Sequence, residues 1–183
     1  MAETVFEESY GGKRFQVVTN DLLAEPVDCI VNAANGGLSH GGGIAAAIAE
    51  AAGERLEAAC ERMIEKVGRI PVGYAALTTA GDLPYKAVIH AIGPRQGEGD
   101  EEAKLVAALK YAFRLAAKKE YSSISFPAVS SGIFSVPAPV CARAYRRAVA
   151  EYWLEYPDSS LNLIRLCLVA GPVLDEVRAQ YRA

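Results

Sequence analysis

The sequence predicts a single α/β domain, residues 1–183, in which helices pack on a largely parallel central sheet. Three observations predict this class. Short β-branched segments alternate with segments of helical periodicity along the whole chain, as in a layered α/β domain. Just over half of the 183 residues, 51%, are hydrophobic, which is enough to form a core. No internal repeat or low-complexity linker divides the chain.

The first third of the chain predicts three strands and one helix. Residues 4–9 and 13–19 read as strands joined by a glycine turn. Residues 27–34, "VDCIVNAA", are apolar and β-branched, as expected of a buried strand. Apolar residues at helical spacing predict one helix from about 43 to 66, and Gly68 ends it.

The rest of the chain continues the alternation. Acidic residues in the first turn and lysines in the last support the helix at 100–119, because both complement the helix dipole. Pro172 opens the last helix. The predicted strands are 73–80, 87–93, 122–129 and 161–170, and the predicted helices are 100–119, 137–156 and 172–183.

Composition excludes several classes of function. The net charge of −3 disfavours nucleic acid as a partner, because that affinity rests on many Lys and Arg contacts to phosphate. The acidic N-terminus lacks an apolar core and no run of about 18 apolar residues occurs, so we expect no membrane association and a cytoplasmic protein. The four cysteines form no CxxC pair and neither histidine has metal-ligand spacing to a cysteine. We therefore expect reduced, buried thiols, no metal and no cofactor.

Three predicted strands end in loops of unusual composition. The loops are "NAANGGLSHGGG" at 32–43, "HAIGPRQGEG" at 90–99 and "PAVSSGIFSVP" at 127–137. Ligands bind at the carboxyl ends of strands in open α/β sheets, so these loops can converge on one site.

The glycines of the first loop indicate a phosphate site. Gly41, Gly42 and Gly43 lie between a strand and a helix, where free backbone N–H groups can point at an anion. The alternative is a flexible turn. Neither a Walker loop nor a GxGxxG fingerprint is present. The segment Ser130–Phe134 again offers small side chains after a strand, and two such loops suit a diphosphate. Phe134 packs either on a sugar or in the core.

Taken together, these segments resemble the macrodomain family over nearly the whole chain. The resemblance rests on "VNAAN" at 31–35, "LSHGGGIAAAI" at 38–48, "HAIGP" at 90–94 and "FPAVSSGIF" at 126–134. It implies a three-layer αβα sandwich around a mixed, largely parallel sheet, with a cleft for ADP-ribose that is free or attached to protein. Ala45 stands where one hydrolase branch has an aspartate. The chain is therefore closest to the branch reading HGGG(V/I)A, which includes archaeal, viral and some poly-ADP-ribose-polymerase-linked macrodomains.

The resemblance also implies roles for individual residues. Asp21 matches the acid that accepts a hydrogen bond from the adenine amino group, although Asn20 replaces the glycine usual before it. Asn35 matches the asparagine that binds the distal ribose, and Asn32 shapes the loop. The implied ligand-binding residues are Asp21, Leu22, Asn32, Ala34, Gly41, Gly42, Gly43, Ile44, Pro127, Ser130, Ser131, Gly132, Ile133, Phe134, Val169 and Ala170.

The two histidines are interpreted differently. His40 either reaches the ribose or a water, or faces solvent from its loop. His90 has apolar neighbours on a strand and reads as a core histidine. At the other end of the cleft, Val169, Ala170 and Gly171 offer no aromatic ring to stack on adenine.

The function implied by the resemblance is hydrolysis of mono-ADP-ribose from acidic side chains of proteins, with Asn35 and His40 orienting ribose and water. No strong protein base is evident without the aspartate, so we expect a slow or substrate-assisted enzyme. The alternatives are a non-catalytic ADP-ribose reader, which Ala45 favours, or a hydrolase of a metabolite such as O-acetyl-ADP-ribose or ADP-ribose 1''-phosphate. The expected partners are ADP-ribose and mono-ADP-ribosylated proteins, and we expect a monomer.

Overall fold

A seven-stranded sheet forms the centre of the molecule in the computed structural model, which describes residues 2–182. The strand order is β1-β2-β7-β6-β3-β5-β4. The strands are β1 (Glu3–Tyr10), β2 (Lys13–Thr19), β3 (Cys29–Ala34), β4 (Ala75–Thr78), β5 (Ala87–Ile92), β6 (Ser123–Phe126) and β7 (Leu163–Leu168).

The sheet is mixed, with its antiparallel strands at the two edges. Strands β2, β7, β6, β3 and β5 are parallel neighbours, whereas β1 and β4 pair antiparallel with β2 and β5. Five carboxyl ends therefore point to one side of the sheet, and the loops that follow them meet there.

Five α-helices cover both faces of the sheet. They are α1 (Gly43–Ala52), α2 (Glu54–Val67), α3 (Glu101–Lys118), α4 (Ala138–Glu155) and α5 (Pro172–Gln180), and a short 3-10 helix spans Leu22–Ala24. α1 and α2 pack on one face around a core that includes Ile48 and Leu56, and the other three helices pack on the opposite face. The predicted three-layer αβα sandwich is confirmed. No helix of the described part of the chain is both long and apolar enough to cross a bilayer.

The single helix predicted from 43 to 66 is wrong, because the chain breaks at Gly53. Gly53 has φ +79°, a left-handed value that favours glycine. A Cβ there would lie 2.9 Å from Oδ2 of Asp82. Apolar spacing runs through the break because both helices pack on the same core, so periodicity alone did not reveal it.

Strand alternation decides which side chains face the α1–α2 layer. On β3, Ile30 and Ala34 contribute to the core beneath that layer, and Asn32 lies between them on the same face. Asn32 pairs in register with His90 of β5. Two polar side chains are thus buried side by side under α2.

Candidate functional site

A cavity of about 860 Å³ opens at the carboxyl ends of the parallel strands. Its volume is typical of a site for a small organic ligand. It is lined by the segments that follow β2, β3, β6 and β7, together with Arg95 after β5. The structure brings most of the predicted site residues together here: Asp21, Leu22, Ala34, Asn35, Gly41, Gly42, Gly43, Ile44, Pro127, Ser130, Ser131, Gly132, Ile133, Phe134, Val169 and Ala170.

The glycine loop presents a helix N-terminus to the cavity. α1 begins at Gly43 after the extended residue Gly42, and no side chain caps it. The first helical hydrogen bond is donated by Ala46 to the Gly42 carbonyl, and the N–H groups of Gly43, Ile44 and Ala45 have no acceptor among the described residues. Free N–H groups at the positive end of a helix dipole attract an anion.

The loop after β6 faces the glycine loop across the cavity. The N–H groups of Gly132, Ile133 and Phe134 also have no acceptor among residues 2–182. A side chain on Gly42 would meet Cδ1 of Ile133 at 3.4 Å, so the two loops come close at the middle of the cavity. Together they offer two sets of N–H donors to one elongated anion.

Ser130 lies at the base of the loop after β6 and has an unpaired hydroxyl. It is buried, its φ is +69°, and its Oγ finds no hydrogen-bond partner in the described structure. The loop after β5 approaches so closely that a Cβ on Gly93 would lie 2.2 Å from that Oγ. Glycine at 93 is therefore required by close approach, and the buried Ser130 hydroxyl is left without a hydrogen-bond partner among residues 2–182.

At one end of the cavity, which we call the Phe134 end, an arginine covers the aromatic ring. The guanidinium carbon of Arg95 lies 4.6 Å from the Phe134 ring centroid. The backbone of Gln96 donates to the Phe134 carbonyl at 2.8 Å, which joins the two loops. A cation over the ring face stabilises the contact.

A second cavity, of about 430 Å³, adjoins the first at this end. Both are lined by Asn35, Arg95 and Phe134, and the second continues past Arg69 and Glu98. Neither guanidinium forms an ion pair within residues 2–182. With two arginines and one glutamate, the adjoining cavity has a positive balance.

At the opposite end, which we call the Asp21 end, a carboxylate caps the short 3-10 helix. Asp21 Oδ1 accepts from the N–H of Leu23 at 3.0 Å, and the residue is exposed. Asp21 is therefore the N-cap of this helix. Val169 is 74% exposed on this rim, and the only aromatic side chain among the described residues that line the cavity is Phe134, at the other end.

A buried charged cluster supports the Asp21 end. Arg165 donates through Nε and NH2 to the two oxygens of Glu25, at 2.8 and 3.0 Å, and Asn20 and Ser125 donate to the same carboxylate at 2.8 Å. Burial would raise the pKa of the Glu25 carboxyl, but the hydrogen bonds from Arg165, Asn20 and Ser125 outweigh it and lower that pKa. We call Glu25, Arg165, Asn20 and Ser125 the Glu25 cluster. Asn20, which replaces the family's glycine, thus holds the loop in place.

Asn35 uses its side chain within its own loop. Its Oδ1 accepts from the N–H groups of Gly37 and Ser39, both at 3.1 Å, and its Nδ2 donates to the carbonyl and hydroxyl oxygens of Ser39. Asn35 therefore shapes the loop, a role that the resemblance implied for Asn32. A ligand that accepts from Nδ2 of Asn35 would replace the Ser39 hydroxyl as its partner, and Ser39 also lines the cavity.

Two predicted site residues, Asn32 and His40, do not line the cavity. Asn32 is fully buried and its Nδ2 lies 3.0 Å from Nδ1 of His90. His40 turns toward α2, with its Nε2 3.9 Å from Sγ of Cys60. Their positions differ from expectation because strand alternation and the loop direct both side chains to the α1–α2 layer, behind the glycine loop.

His90 is the centre of this second buried group. Its Nε2 lies 2.9 Å from Oγ1 of Thr78 and 3.8 Å from Sγ of Cys60. Burial lowers the pKa of His90 to about 3 and raises the pKa of Cys60 to about 11. We call His40, Cys60, His90, Asn32 and Thr78 the His90 cluster. It is uncharged at neutral pH, and the core position predicted for His90 agrees with the structure.

Sequence reasoning missed several residues at the site. Arg95 lies in the loop at 90–99, and its positive charge was the signal that could have identified it as a site residue. No such signal exists in the sequence for Ser39, whose role depends on a turn of its loop, or for Cys60, whose role depends on the packing of α2. The unpredicted cavity-lining residues are Thr19, Asn20, Ala33, Ser39, Ala45, Arg95, Ala128, Val129, Cys167, Leu168, Gly171, Pro172 and Val173.

Comparison with known proteins gives consistent results. The family model described as Macro domain matches residues 31–145. An O-acetyl-ADP-ribose deacetylase of Escherichia coli K12 is 43% identical over 141 residues, which cover 76% of this chain and 80% of that protein. A Thermotoga maritima protein is 40% identical over 91% of this chain, but the match spans only 28% of that protein's length. A solved Oceanobacillus iheyensis macrodomain with ADP superposes with a TM-score of 0.89, 28% identity and coverage of 98% of this chain and 95% of that one.

Proposed function

Because this chain belongs to the macrodomain family, we propose that its cleft binds ADP-ribose and hydrolyses an ester carried by the distal ribose. The observation that carries the proposal is the pair of facing loops with free N–H groups, from Gly43 to Ala45 and from Gly132 to Phe134. A diphosphate between them would accept from both loops. The adenine would then lie toward Asp21 and the distal ribose toward Phe134 and Asn35.

The proposed substrate is first of all a small acyl ester such as O-acetyl-ADP-ribose. The support is the name of the E. coli relative, an O-acetyl-ADP-ribose deacetylase. Hydrolysis adds a water oxygen to the acyl carbon and breaks the bond to the ribose oxygen, which takes the proton. The products are acetate and ADP-ribose.

The residues available at the Phe134 end limit the mechanism. Of the described residues that line the cavity, the only acid is Asp21, at the far end, and neither histidine is among them. No side chain can therefore serve as a strong base beside the ester. The water would be held by the substrate's own phosphate and by Asn35, and the N–H groups of the loops would stabilise developing negative charge. Catalysis is expected to be slow.

A second candidate substrate is mono-ADP-ribose linked to an acidic side chain of a protein. The observation that favours it is the adjoining cavity, where Arg69 and Arg95 extend beyond the place of the distal ribose. An acidic peptide leaving the ribose in this direction would meet a positive balance of charge.

The test is a time course with O-acetyl-ADP-ribose and with a Glu/Asp-modified protein, run beside calorimetry with free ADP-ribose. Wild type is expected to hydrolyse the acetyl ester. Asn35→Ala is expected to reduce this hydrolysis at least about 100-fold while changing the affinity for ADP-ribose less than tenfold. Arg55→Ala, on an exposed and remote ion pair, is the control. Binding without turnover of either substrate would leave a reader, as Ala45 favours, and no binding would reject the proposal.

A further inference from the structure

The His90 cluster brings three metal-ligand side chains together from distant parts of the chain. His40 comes from the glycine loop, Cys60 from α2 and His90 from β5. Their ligand atoms all lie within 4.8 Å of one another, and Sγ of Cys60 is 3.9 and 3.8 Å from Nε2 of His40 and His90. The cluster lies behind the glycine loop, and none of its five residues lines the cleft.

The two distances from Sγ of Cys60 to the histidine nitrogens are close to those of a tetrahedral zinc site. With Zn–S of about 2.3 Å and Zn–N of about 2.0–2.1 Å, a tetrahedral site places sulfur and nitrogen about 3.6 Å apart. The two observed S···N separations exceed this by only a few tenths of an ångström. Thiolate and imidazole are also the donors that Zn²⁺ prefers.

One buried atom of the cluster lacks a partner. Asn32 is fully buried, and its Oδ1 has no hydrogen-bond partner among the described residues. As placed, the Asn32 amide donates to Nδ1 of His90, which puts the histidine proton on Nε2, facing Thr78.

Turning the Asn32 amide over reverses this arrangement. Oδ1 would then accept from Nδ1–H of His90. The lone pair of Nε2 would point where its proton pointed before, with Oγ1 of Thr78 at 2.9 Å and Sγ of Cys60 at 3.8 Å from that nitrogen. Metal-bound histidines usually donate their second N–H in this way to an oxygen, which fixes the ring. Thr78 would keep its hydrogen bond to the Thr79 carbonyl at 3.1 Å. Oδ1 of Asn32 would thus become the acceptor that a metal-bound His90 requires for its Nδ1–H.

The surroundings favour a cation that enters from the His40 side. Glu57 and Glu61 lie on α2 within three residues of Cys60, so two carboxylates add negative charge beside the cluster. Cys60 and His90 are buried, whereas His40 is partly exposed. An ion would reach the cluster past the His40 ring, and a water could complete its coordination.

We propose that His40, Cys60 and His90 bind one Zn²⁺ ion in a tetrahedral site behind the glycine loop. The Cys60 thiol gives its proton to solvent on binding, and the His90 proton resides on Nδ1, so one proton is released for each ion. The ion would tie His40, the residue before Gly41, to α2 and β5. The ion would therefore hold the glycine loop in place without taking part in the reaction.

The experiment titrates chelator-treated protein with Zn²⁺ against a chromophoric chelator of known affinity. Wild type is expected to bind one ion, and Cys60→Ala is expected to weaken binding at least about 100-fold, since loss of a ligand should exceed the effect of losing a supporting residue. Cys29→Ala, which removes a buried thiol on the opposite face of the sheet, should bind like wild type. Co²⁺ should give a thiolate-to-cobalt absorption band that Cys60→Ala lacks.

His40→Phe keeps an aromatic ring at a partly exposed position and serves if Cys60→Ala does not fold. It should also lose at least about 100-fold in Zn²⁺ affinity. The proposal is overturned if wild type fails to bind one equivalent, or if wild type and His40→Phe bind Zn²⁺ equally. An unchanged cobalt spectrum in the folded Cys60→Ala protein would overturn it as well.

Discussion

The Glu25 cluster and the His90 cluster are two buried polar groups that support the same site in different ways. The first is charged, and both Glu25 oxygens accept two hydrogen bonds each. The second is neutral and leaves Oδ1 of Asn32 unpaired. A saturated cluster has no capacity for a further ligand, whereas an incomplete one has. Hydrogen-bond completeness, more than burial, therefore separates a structural polar cluster from a candidate binding site.

The largest effect is expected from breaking the charged cluster. Glu25→Ala leaves Arg165, whose side chain is only 12% exposed, without its carboxylate. Loss of one partner of a buried ion pair costs about 3–5 kcal/mol in the free energy of unfolding. Urea unfolding at pH 7 measures it. Arg55→Ala, which breaks a pair exposed by 69% and 71%, should cost less than about 1 kcal/mol and is the matched control.

The same cluster predicts a pH dependence. The folded pKa of Glu25 is lowered, so its stabilisation is present above the ordinary glutamate value of 4.5 and is lost as the pH falls below it. Other carboxylates contribute too, so the difference between wild type and Glu25→Gln isolates this residue. Unfolding free energies from pH 7 to pH 3 should converge for the two proteins as the pH falls, and parallel curves would contradict the assignment.

A smaller effect is expected in the neutral cluster. Asn32→Leu, at similar volume, removes the hydrogen bond to His90 but also removes the unpaired oxygen. The two effects oppose each other, and the metal-free protein should lose only about 1 kcal/mol in unfolding free energy. A loss comparable to that of Glu25→Ala would mean that the oxygen is satisfied in solution, and the contrast between the clusters would disappear.

The smallest effect on stability is expected at the rim of the cleft. Val169→Ser changes a side chain that is 74% exposed, so the unfolding free energy should stay within about 0.5 kcal/mol of wild type. If adenine covers this side chain, calorimetry with ADP-ribose should show a several-fold weaker affinity. Unchanged affinity would place the base elsewhere along the cavity.

The cleft was largely predictable from sequence because its walls are contiguous segments. Gly41–Ile44 belongs to the connection from β3 to α1 and Ser130–Phe134 to the connection from β6 to α4, and parallel strands bring such connections to one edge. The break at Gly53 was not predictable from periodicity, since α1 and α2 share a core.

The His90 cluster was not predictable from spacing. His40, Cys60 and His90 are separated by 20 and 30 residues, and their meeting depends on the packing of α2 on the sheet. The direction of the His40 side chain also depends on the loop conformation. A motif identifies where a residue lies along the chain, and the fold decides which way it points.

The contact between Gly93 and Ser130 also limits which sequences can descend from this one. A Cβ at 93 would lie 2.2 Å from the Ser130 oxygen and 2.9 Å from Cγ1 of Val129, so position 93 is not free to change alone. A lineage that gains a side chain at 93 must also shorten or move the side chains at 129 and 130. We therefore expect any residue larger than glycine at 93 among homologues to accompany a rebuilt loop after β6.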